Sequence, residues 1–264
     1  MNPSFAPEDV KGTARYPFLV DAGDGKILLG YREDGRLSFD KYRSEAACTT
    51  YWNGGTRLFI ADPQWLLEKE ANEDFSQGMQ NLQASGTAGA EVTMRPEGKP
   101  ALHLTKTKVD QSGGVAWNFP FTPKGSLHLR LRVEPGYQGG YFTLSEYYLS
   151  PTHLEGGTFR WMLDPELNLR IQHANEGPYK RIEEKAIQGD NVGMPLQTGR
   201  WYDLHIDWDA ELNVANLWVD GRYAGTLLGL ENARGIGYLR LRSAAATTDL
   251  GGLWVTSIQS RPRP

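Results

Sequence analysis

The chain has 264 residues, of which 39% are hydrophobic, and its 30 glycines, 15 prolines, 12 tyrosines and 8 tryptophans are typical of an all-β protein with many tight turns. A net charge of −4 and a pI near 5.8 argue against a nucleic-acid partner at the level of the whole chain. The one cysteine, Cys48, excludes an internal disulfide framework, and no apolar run reaches the roughly 18 residues of a membrane-spanning helix.

The first part of the chain predicts a β-meander. Strand patterns occur in RYPFLVDA, KILLGYRE and RLSFDKYR, residues 15–22, 26–33 and 36–43. The turns between them carry Asp24-Gly25 and Asp34-Gly35, and both residue types tolerate positive φ, which tight hairpins require. A meander of three strands is only marginally stable alone, so we expect it to pack on another part of the protein.

A resemblance follows from the same residues. The stretch YPFLVDAGDGKILLGYREDGRLSF is similar to a blade of the BNR-repeat, sialidase-like propellers, in which an aromatic-proline strand, a D-G turn and a Y-R strand recur. The following SEAACTTYW resembles a degenerate Asp-box in which Ala46 and Cys48 replace the usual Asp and Gly. One blade cannot form a propeller, so residues 1–61 are interpreted as a propeller remnant or extension without a sialidase active site.

Residues 62–90 form a polar, Gly-rich connection with one helical turn expected at 65–71, and the domain boundary is placed there. The second domain is therefore expected to span residues 62–264. Short alternating patterns then continue almost without interruption, which predicts two stacked antiparallel sheets. The thirteen predicted strands are residues 90–95, 101–106, 115–120, 126–133, 140–147, 158–164, 167–174, 180–187, 200–208, 213–220, 222–228, 237–243 and 252–258.

The last five of these strands, from 200–208 onward, resemble the closing strands of concanavalin A-like jelly rolls, the fold of many lectins, laminin G-like modules, glucanases and alginate lyases. In that family a Trp-aromatic strand leads into a strand that ends in V-D-G and turns back as a hairpin, and Trp201, Asp220 and Gly221 match. The resemblance implies a concanavalin A-like β-sandwich whose concave sheet binds sugar. It gives no direct evidence for an activity.

Basic residues alternate with leucine in two stretches, GSLHLRLRVE at 125–134 and IGYLRLRS at 236–243. On a strand the leucines share one face and the basic side chains share the other. Arginine suits an acidic polysaccharide because its planar guanidinium meets a carboxylate with two hydrogen bonds. Clustered on one sheet, these residues would form an anion-binding groove; the alternative is an ordinary solvated face. The candidates are His128, Arg130, Arg132, Arg160, Arg170, Gln172, Arg240 and Arg242.

Aromatic side chains are the second group of candidates, because the C–H faces of sugar rings pack on flat rings. Tyr147 and Tyr148 are the stronger candidates because they lie in a loop-like segment, and Tyr141, Tyr179, Trp201 and Tyr238 complete the set. By alternation, Trp161, Trp208 and Trp254 are predicted to lie in the core.

Catalytic patterns are weak. Asp203 and Asp207 flank His205 on a predicted outer face, where solvated charges are the alternative to a glycosidase carboxyl pair. The E-x-D-x-x-E of the glucanases of this fold has no match. Gln172-His173 is similar to the Q-I-H of alginate lyases but in a different order, and alternation turns His173 inward, where a buried, hydrogen-bonded histidine is the alternative to a catalytic base.

No cofactor is required by any motif in the sequence. The resemblance implies one metal, because concanavalin A-like domains often hold a structural calcium through carboxylates near their first and last strands. Glu73, Asp74 and Asp249 are the candidate oxygen ligands.

The sequence therefore predicts carbohydrate recognition in polysaccharide degradation, with an acidic poly- or oligosaccharide bound by part of a BNR-type carbohydrate-active protein. The alternatives are a polysaccharide lyase or glycoside hydrolase acting on an acidic polysaccharide, and a laminin G-like protein-interaction module. No nucleic acid and no membrane span are expected. The expected localisation is secreted or periplasmic, although residues 1–12 lack the apolar core of a signal peptide. The oligomeric state is left open.

Overall fold

Strands and turns account for all the secondary structure of the residues that the structure describes. The structure is a computed structural model, and only the backbone is described for residues 14–23, 26–33 and 56–61 and for strand residues 83–85, 172–174 and 182–186. No helix in the described part of the chain is long and apolar enough to cross a membrane. The described residues are 14–23, 26–33, 56–61, 69–79, 82–85, 89–95, 97–110, 113–147, 157–174, 182–186 and 195–263.

The chain divides into two compact units, Met1–Glu68 and Lys69–Pro264. The smaller unit contains an antiparallel sheet in the order β1-β2-β3, formed by β1 (Ala14–Gly23), β2 (Lys26–Glu33) and β3 (Thr56–Ala61). Gly23 stands opposite Lys26, and the turn predicted at Asp24-Gly25 lies outside the described residues. The strand predicted at 36–43 lies outside the described residues, and β3 was not predicted.

The larger unit consists of two antiparallel sheets. The first has seven strands in the order β13-β12-β11-β10-β17-β8-β5. Its strands are β5 (Leu82–Ser85), β8 (Gly114–Thr122), β10 (Gly140–Ser145), β11 (Phe159–Leu163), β12 (Leu169–Ala174), β13 (Ile182–Ala186) and β17 (Ile236–Ser243).

The second sheet has eight strands. Seven of them run in the order β16-β15-β14-β9-β18-β7-β6, and the short β4 pairs with the far end of β18. Its strands are β4 (Ala71–Glu73), β6 (Ala90–Met94), β7 (Pro100–Lys106), β9 (Lys124–Val133), β14 (Trp201–Asp209), β15 (Val214–Val219), β16 (Arg222–Leu228) and β18 (Asp249–Pro262).

The core lies between these two sheets. Leu127, Leu129 and Leu131 point into it from β9, and Leu239 and Leu241 point into it from β17, as alternation predicts. Trp161 and Trp208 are fully buried there. Burying one leucine side chain contributes about 1.5–3 kcal/mol, so the leucines of these two strands help to hold the sandwich together.

Trp254 is an exception to the predicted core. It is buried, but it stands opposite His103 and Arg132, and its ring stacks on the His103 ring at 3.9 Å. Its neighbours Leu253 and Val255 belong to the core, so Trp254 points away from it. Trp254 is therefore buried as predicted, but alternation was applied to the wrong face, because the consecutive apolar residues Leu253, Trp254 and Val255 do not show which face is the core.

The hairpin between β15 and β16 has the predicted D-G turn. Val219 stands opposite Arg222, and Asp220 and Gly221 both have positive φ, 48° and 76°. Two consecutive residues with positive φ match a turn whose twist fits the flanking strands, and Asp and Gly tolerate this conformation best.

The segment predicted as a connection, residues 62–90, contains two strands of the larger unit. A helical turn was expected at 65–71, but residues 69–70 are irregular and Ala71 begins β4, so this prediction is wrong for residues 69–71. Residues 65–68 lie outside the described part. The connection also contributes β5, which pairs with β8. Both strands are too short for an alternating pattern to be recognised.

Candidate functional site

The two basic stretches lie on different sheets. Arg130 and Arg132 belong to β9 of the eight-stranded sheet, whereas Arg240 and Arg242 belong to β17 of the seven-stranded sheet. In both strands the basic side chains point away from the core that the sheets share. They therefore occupy opposite outer surfaces of the sandwich, and the prediction of one groove lined by both stretches is wrong.

The seven-stranded sheet collects the other predicted arginines. Thr143 on β10 stands directly opposite Arg160 on β11 and opposite Arg240 on β17. Because neighbouring strands lie about 4.8 Å apart, the Cα atoms of these two arginines are separated by about 10 Å. Opposed residues share a face, so both guanidinium groups belong to one surface.

A second row lies two residues further along these strands. Tyr141 stands opposite Arg242 on one side and Met162 on the other, and Met162 stands opposite Arg170. Tyr238 lies two residues before Arg240, opposite Ser145. We call this surface the arginine face, and its members are Tyr141, Arg160, Arg170, Tyr238, Arg240 and Arg242.

The members of the arginine face lie at different depths. Arg160 and Arg240 are 5% and 3% exposed, and Arg240 donates a hydrogen bond from Nη2 to Thr143 Oγ1 at 3.3 Å. Arg242 and Tyr141 are half-buried, and the Arg242 guanidinium lies 5.9 Å from the centre of the Tyr141 ring. Burial lowers the pKa of Arg242 from its ordinary value, and Tyr141 opposes this shift.

Arg170 is held by the turn that precedes its strand. Its Nε donates to Asp164 Oδ2 at 2.5 Å, and the Asn168 backbone N–H donates to Asp164 Oδ1 at 2.8 Å. Burial alone would raise the pKa of Asp164, but these hydrogen bonds and the Arg170 charge hold it below its ordinary value. The sequence analysis missed Asp164; an Asp followed by Pro indicates a turn, but not which arginine it meets.

The arginine face is poor in acidic residues because of its strand sequences. Six of its seven strands, β5, β8, β10, β11, β12 and β17, contain no Asp or Glu. The seventh, β13, carries Glu183 and Glu184, whose side chains lie outside the described part. Positive charge is therefore concentrated on this sheet by sequence.

On the eight-stranded sheet, two outer arginines form ion pairs with carboxylates. Arg130 meets Asp203 on the neighbouring strand at 3.0 Å. Arg132 meets Glu97 at 2.9 Å and also donates to Glu134 at 2.7 Å. These pairs are the contacts of a solvated, charge-balanced surface.

Trp201 was a candidate sugar platform, but cations surround its ring. Arg95, Arg130 and Arg132 place their guanidinium carbons 5.1, 5.9 and 5.3 Å from the ring centre. Such cation–π contacts occupy the aromatic surface that a sugar would need. Trp201 therefore belongs to the charged network of the eight-stranded sheet.

The remaining tyrosine candidates are separated. Tyr238 is buried on the arginine face, and the exposed Tyr147 donates its hydroxyl to Glu231 at 3.1 Å. Tyr148 and Tyr179 lie outside the described residues. A stacking role for any of them stays a prediction.

The candidate catalytic groups do not form a carboxyl pair. Asp203 binds Arg130, while Asp207 contacts His205 and Arg263, all on the outside of the eight-stranded sheet. His128 also lies there, beside His205.

The Gln172–His173 pair lies in β12. The Gln172 backbone lies two residues beyond Arg170, opposite Glu184, and His173 stands opposite Glu183. The side chains of Gln172 and His173 lie outside the described part, so both roles stay predictions.

The predicted calcium ligands do not come together. Glu73 pairs with Ile258 near the end of β18, whereas Asp249 lies at its start, nine residues away along the strand. Glu73 accepts a hydrogen bond from the Phe75 backbone N–H at 2.6 Å, and Asp249 accepts one from Gly252 at 2.7 Å. Asp74 lies next to Glu73 and accepts one from Ser76. A site shared by the three carboxylates is therefore wrong, while calcium binding itself stays a prediction.

No protein-family model matches this sequence, and no curated protein is significantly similar to it. Solved structures do share its fold. A sialidase matches with a TM-score of 0.51 at 14% identity over 94% of this chain and 22% of that chain. The apo form of a Crh5 transglycosylase matches with a TM-score of 0.51 at 15% identity over 75% of this chain and 86% of that chain.

A GH16 protein from a mixed linkage glucan PUL of Bacteroides ovatus, in complex with its product, matches with a TM-score of 0.50 at 10% identity. This match covers 72% of the present chain and 99% of the other. The larger unit is a concanavalin A-like jelly-roll sandwich, as the closing strands predicted. The chain spans only about a fifth of the length of the sialidase.

Proposed function

We propose that this chain recognises carbohydrate and binds an acidic glycan along the arginine face. The observation that carries the proposal is that Arg160, Arg170, Arg240 and Arg242 share one face of a sheet whose six strands other than β13 contain no Asp or Glu. A surface of this kind attracts anions. The solved structures that share the fold include a transglycosylase and a protein bound to a glucan product, which supports a carbohydrate as the ligand.

The accessible part of the arginine face suits a sugar acid. Arg170 and Arg242 supply the positive charge that a sugar acid requires, while Nε of Arg170 already donates to Asp164 and Nε and Nη1 of Arg242 are buried. Between them lie the half-buried Tyr141, whose ring faces the Arg242 guanidinium, and the buried Met162. Arg160 and Arg240 lie deeper and add positive charge beneath this surface.

Binding rather than hydrolysis is proposed because the described side chains of these strands include no carboxyl pair. We propose further that the chain is part of a larger, secreted or periplasmic carbohydrate-active protein of BNR type. The blade-like pattern of residues 16–39 supports this. The likeness to a sialidase also supports it, because it covers 94% of the chain and so extends beyond the larger unit, Lys69–Pro264.

The test compares two double variants with the same change of charge. Arg170→Ala/Arg242→Ala removes the accessible cations of the arginine face, and Arg130→Ala/Arg200→Ala removes two exposed cations associated with the other sheet. Affinity for a soluble polyuronate is measured by calorimetry. We expect the first variant to lose roughly 1–3 kcal/mol per arginine and the second to bind like the wild type.

Equal weakening by both variants would mean that only net charge matters, and no weakening by the first would overturn the assignment of the site. The expected binding also decreases as salt is added, because exposed charge contacts are screened. A neutral glucan is the control ligand. Release of new reducing or unsaturated chain ends from the polyuronate would show that the chain is an enzyme instead.

A further inference from the structure

Two histidines form a direct cross-strand pair on the outside of the eight-stranded sheet. His128 on β9 stands opposite His205 on β14, and their ring centres lie 4.1 Å apart. His205 Nδ1 lies 2.8 Å from His128 Nε2 and 3.3 Å from His128 Nδ1. Imidazole nitrogens of two neighbouring strands therefore converge on one small space at the protein surface.

The orientation of His205 is fixed from behind. Its Nε2 lies 2.8 Å from Asp207 Oδ1, and the other carboxylate oxygen of Asp207 meets Arg263 Nη1 at 2.7 Å. An ionised carboxylate only accepts hydrogen bonds, so Nε2 of a neutral His205 carries the proton and Nδ1 presents its lone pair to His128. A histidine whose second nitrogen donates to a carboxylate is the usual arrangement of a metal ligand.

We propose that His128 and His205 bind a divalent transition-metal ion of the group that prefers imidazole, namely Zn²⁺, Cu²⁺ or Ni²⁺. Asp207 does not contact such an ion but holds the His205 ring in place through Nε2. No group of three or more metal-binding side chains occurs among the described residues, so the protein contributes two nitrogens and water fills the other positions. Ca²⁺ and Mg²⁺ are not expected here, because they prefer oxygen ligands.

The distances suit this role. Two nitrogens that bind one tetrahedral zinc at about 2.0–2.1 Å lie about 3.3 Å apart, close to the present 2.8 and 3.3 Å. The ion would replace the His128–His205 hydrogen bond, and the exposed His128 ring can turn to admit it.

The site is independent of the proposed glycan-binding function, because it lies on the opposite sheet from the arginine face. The experiment titrates Zn²⁺ into the metal-free full-length chain near neutral pH by calorimetry. A saturable heat for one ion per chain is expected, and we expect His128→Ala or His205→Ala to abolish it. His103→Gln is the matched control, since His103 lies two strands away on β7.

Two further measurements keep the proposal falsifiable. In long-range ¹H–¹⁵N spectra, Zn²⁺ should move the ring signals of His128 and His205 and leave those of His103 unchanged, and Ca²⁺ should move none. Asp207→Asn should weaken Zn²⁺ binding by about 10–100-fold while circular dichroism reports an intact fold. Binding that survives both histidine variants, or no saturable binding in the wild type, would overturn the proposal.

Discussion

The strands β9 and β17 share a sequence pattern but meet different surroundings. Each alternates leucine with arginine, and each buries its leucines in the common core. On the outer surface, Arg130 forms an ion pair with Asp203 on the next strand. Arg240 donates a hydrogen bond to Thr143, and the Arg242 guanidinium contacts the Tyr141 ring. Alternation decides which way a side chain points, but the neighbouring strand decides what it meets.

The difference comes from the strands on either side. β9 lies beside β14, whose sequence WYDLHIDWD supplies three aspartates to the outer surface. β17 lies between β10 and β8, which contain no acidic residue. Cross-strand ion pairs therefore form between β9 and β14, whereas the strands beside β17 offer no carboxylate for such a pair.

The largest expected effect tests what the two strands share. Leu129→Ala and Leu239→Ala should each lower the free energy of unfolding by about 2–5 kcal/mol, because both leucines are fully buried in the same core. Denaturant unfolding of the two variants measures this. A loss in only one of them would mean that the sheets do not unfold together.

Much of the fold could be predicted because it depends on local alternation. All thirteen strands predicted between residues 90 and 258 are present, with ends that differ by a few residues. The turn at Asp220-Gly221 was recognisable because positive φ restricts the residues that fit. β4 and β5 were missed because three or four residues carry too little periodicity.

The site was predicted less well, since strand pairing is not local. Nothing in LHLRLRV or YLRLRS indicates that β9 lies between β14 and β18 while β17 lies between β10 and β8. Arg160 and Arg170 were correctly predicted to point away from an apolar face, but their position beside Arg240 and Arg242 required the pairings of β10 and β11. That guanidinium groups cover the Trp201 ring could not be predicted either, because Arg95 and Arg132 are distant from Trp201 in the sequence.

The next prediction concerns the ion pair at the edge of the arginine face. Arg170→Ala should cost about 1–3 kcal/mol of stability near neutral pH, because the buried Asp164 carboxylate loses a charged partner. The folded-state pKa of Asp164 lies below its ordinary value of 3.8, so this carboxyl stabilises the fold above that value and the contribution is lost as the pH falls through the folded pKa.

In the variant the pKa of Asp164 should rise, and carboxyl NMR titration measures it directly. Asn168→Ala is the matched change, because it removes the side-chain amide of Asn168 but keeps its backbone hydrogen bond and the arginine. An unchanged pKa of Asp164 in Arg170→Ala would mean that the ion pair does not stabilise the Asp164 carboxylate.

A smaller effect is expected at Trp201 on the opposite surface. Trp201→Leu removes the ring that three guanidinium groups contact, and exposed cation–π contacts contribute about 0.5–1 kcal/mol each. Because the three contacts share one ring, their contributions are not additive, and we expect a total loss of about 1–2 kcal/mol in stability and no change in affinity for the polyuronate. Weaker glycan binding in this variant would move the binding surface to the eight-stranded sheet.

The smallest effect is expected for Arg130 and Asp203, the pair that makes the two outer surfaces differ. Their side chains are 48% and 63% exposed, so water and salt screen an interaction whose atoms lie only 3.0 Å apart. A double-mutant cycle with Arg130→Ala and Asp203→Ala should give a coupling of about 0.2–1 kcal/mol that decreases in high salt.

This pair matters for charge balance rather than for stability, because Asp203 cancels the cation that would otherwise attract an anion to this sheet. Asp203→Ala should therefore give the eight-stranded sheet a weak, salt-sensitive affinity for the polyuronate. This affinity is measured in the triple variant Arg170→Ala/Arg242→Ala/Asp203→Ala, which lacks the main site. If the triple variant binds no better than that double variant, local charge balance does not explain why only one of the two arginine strands is proposed to bind an acidic glycan.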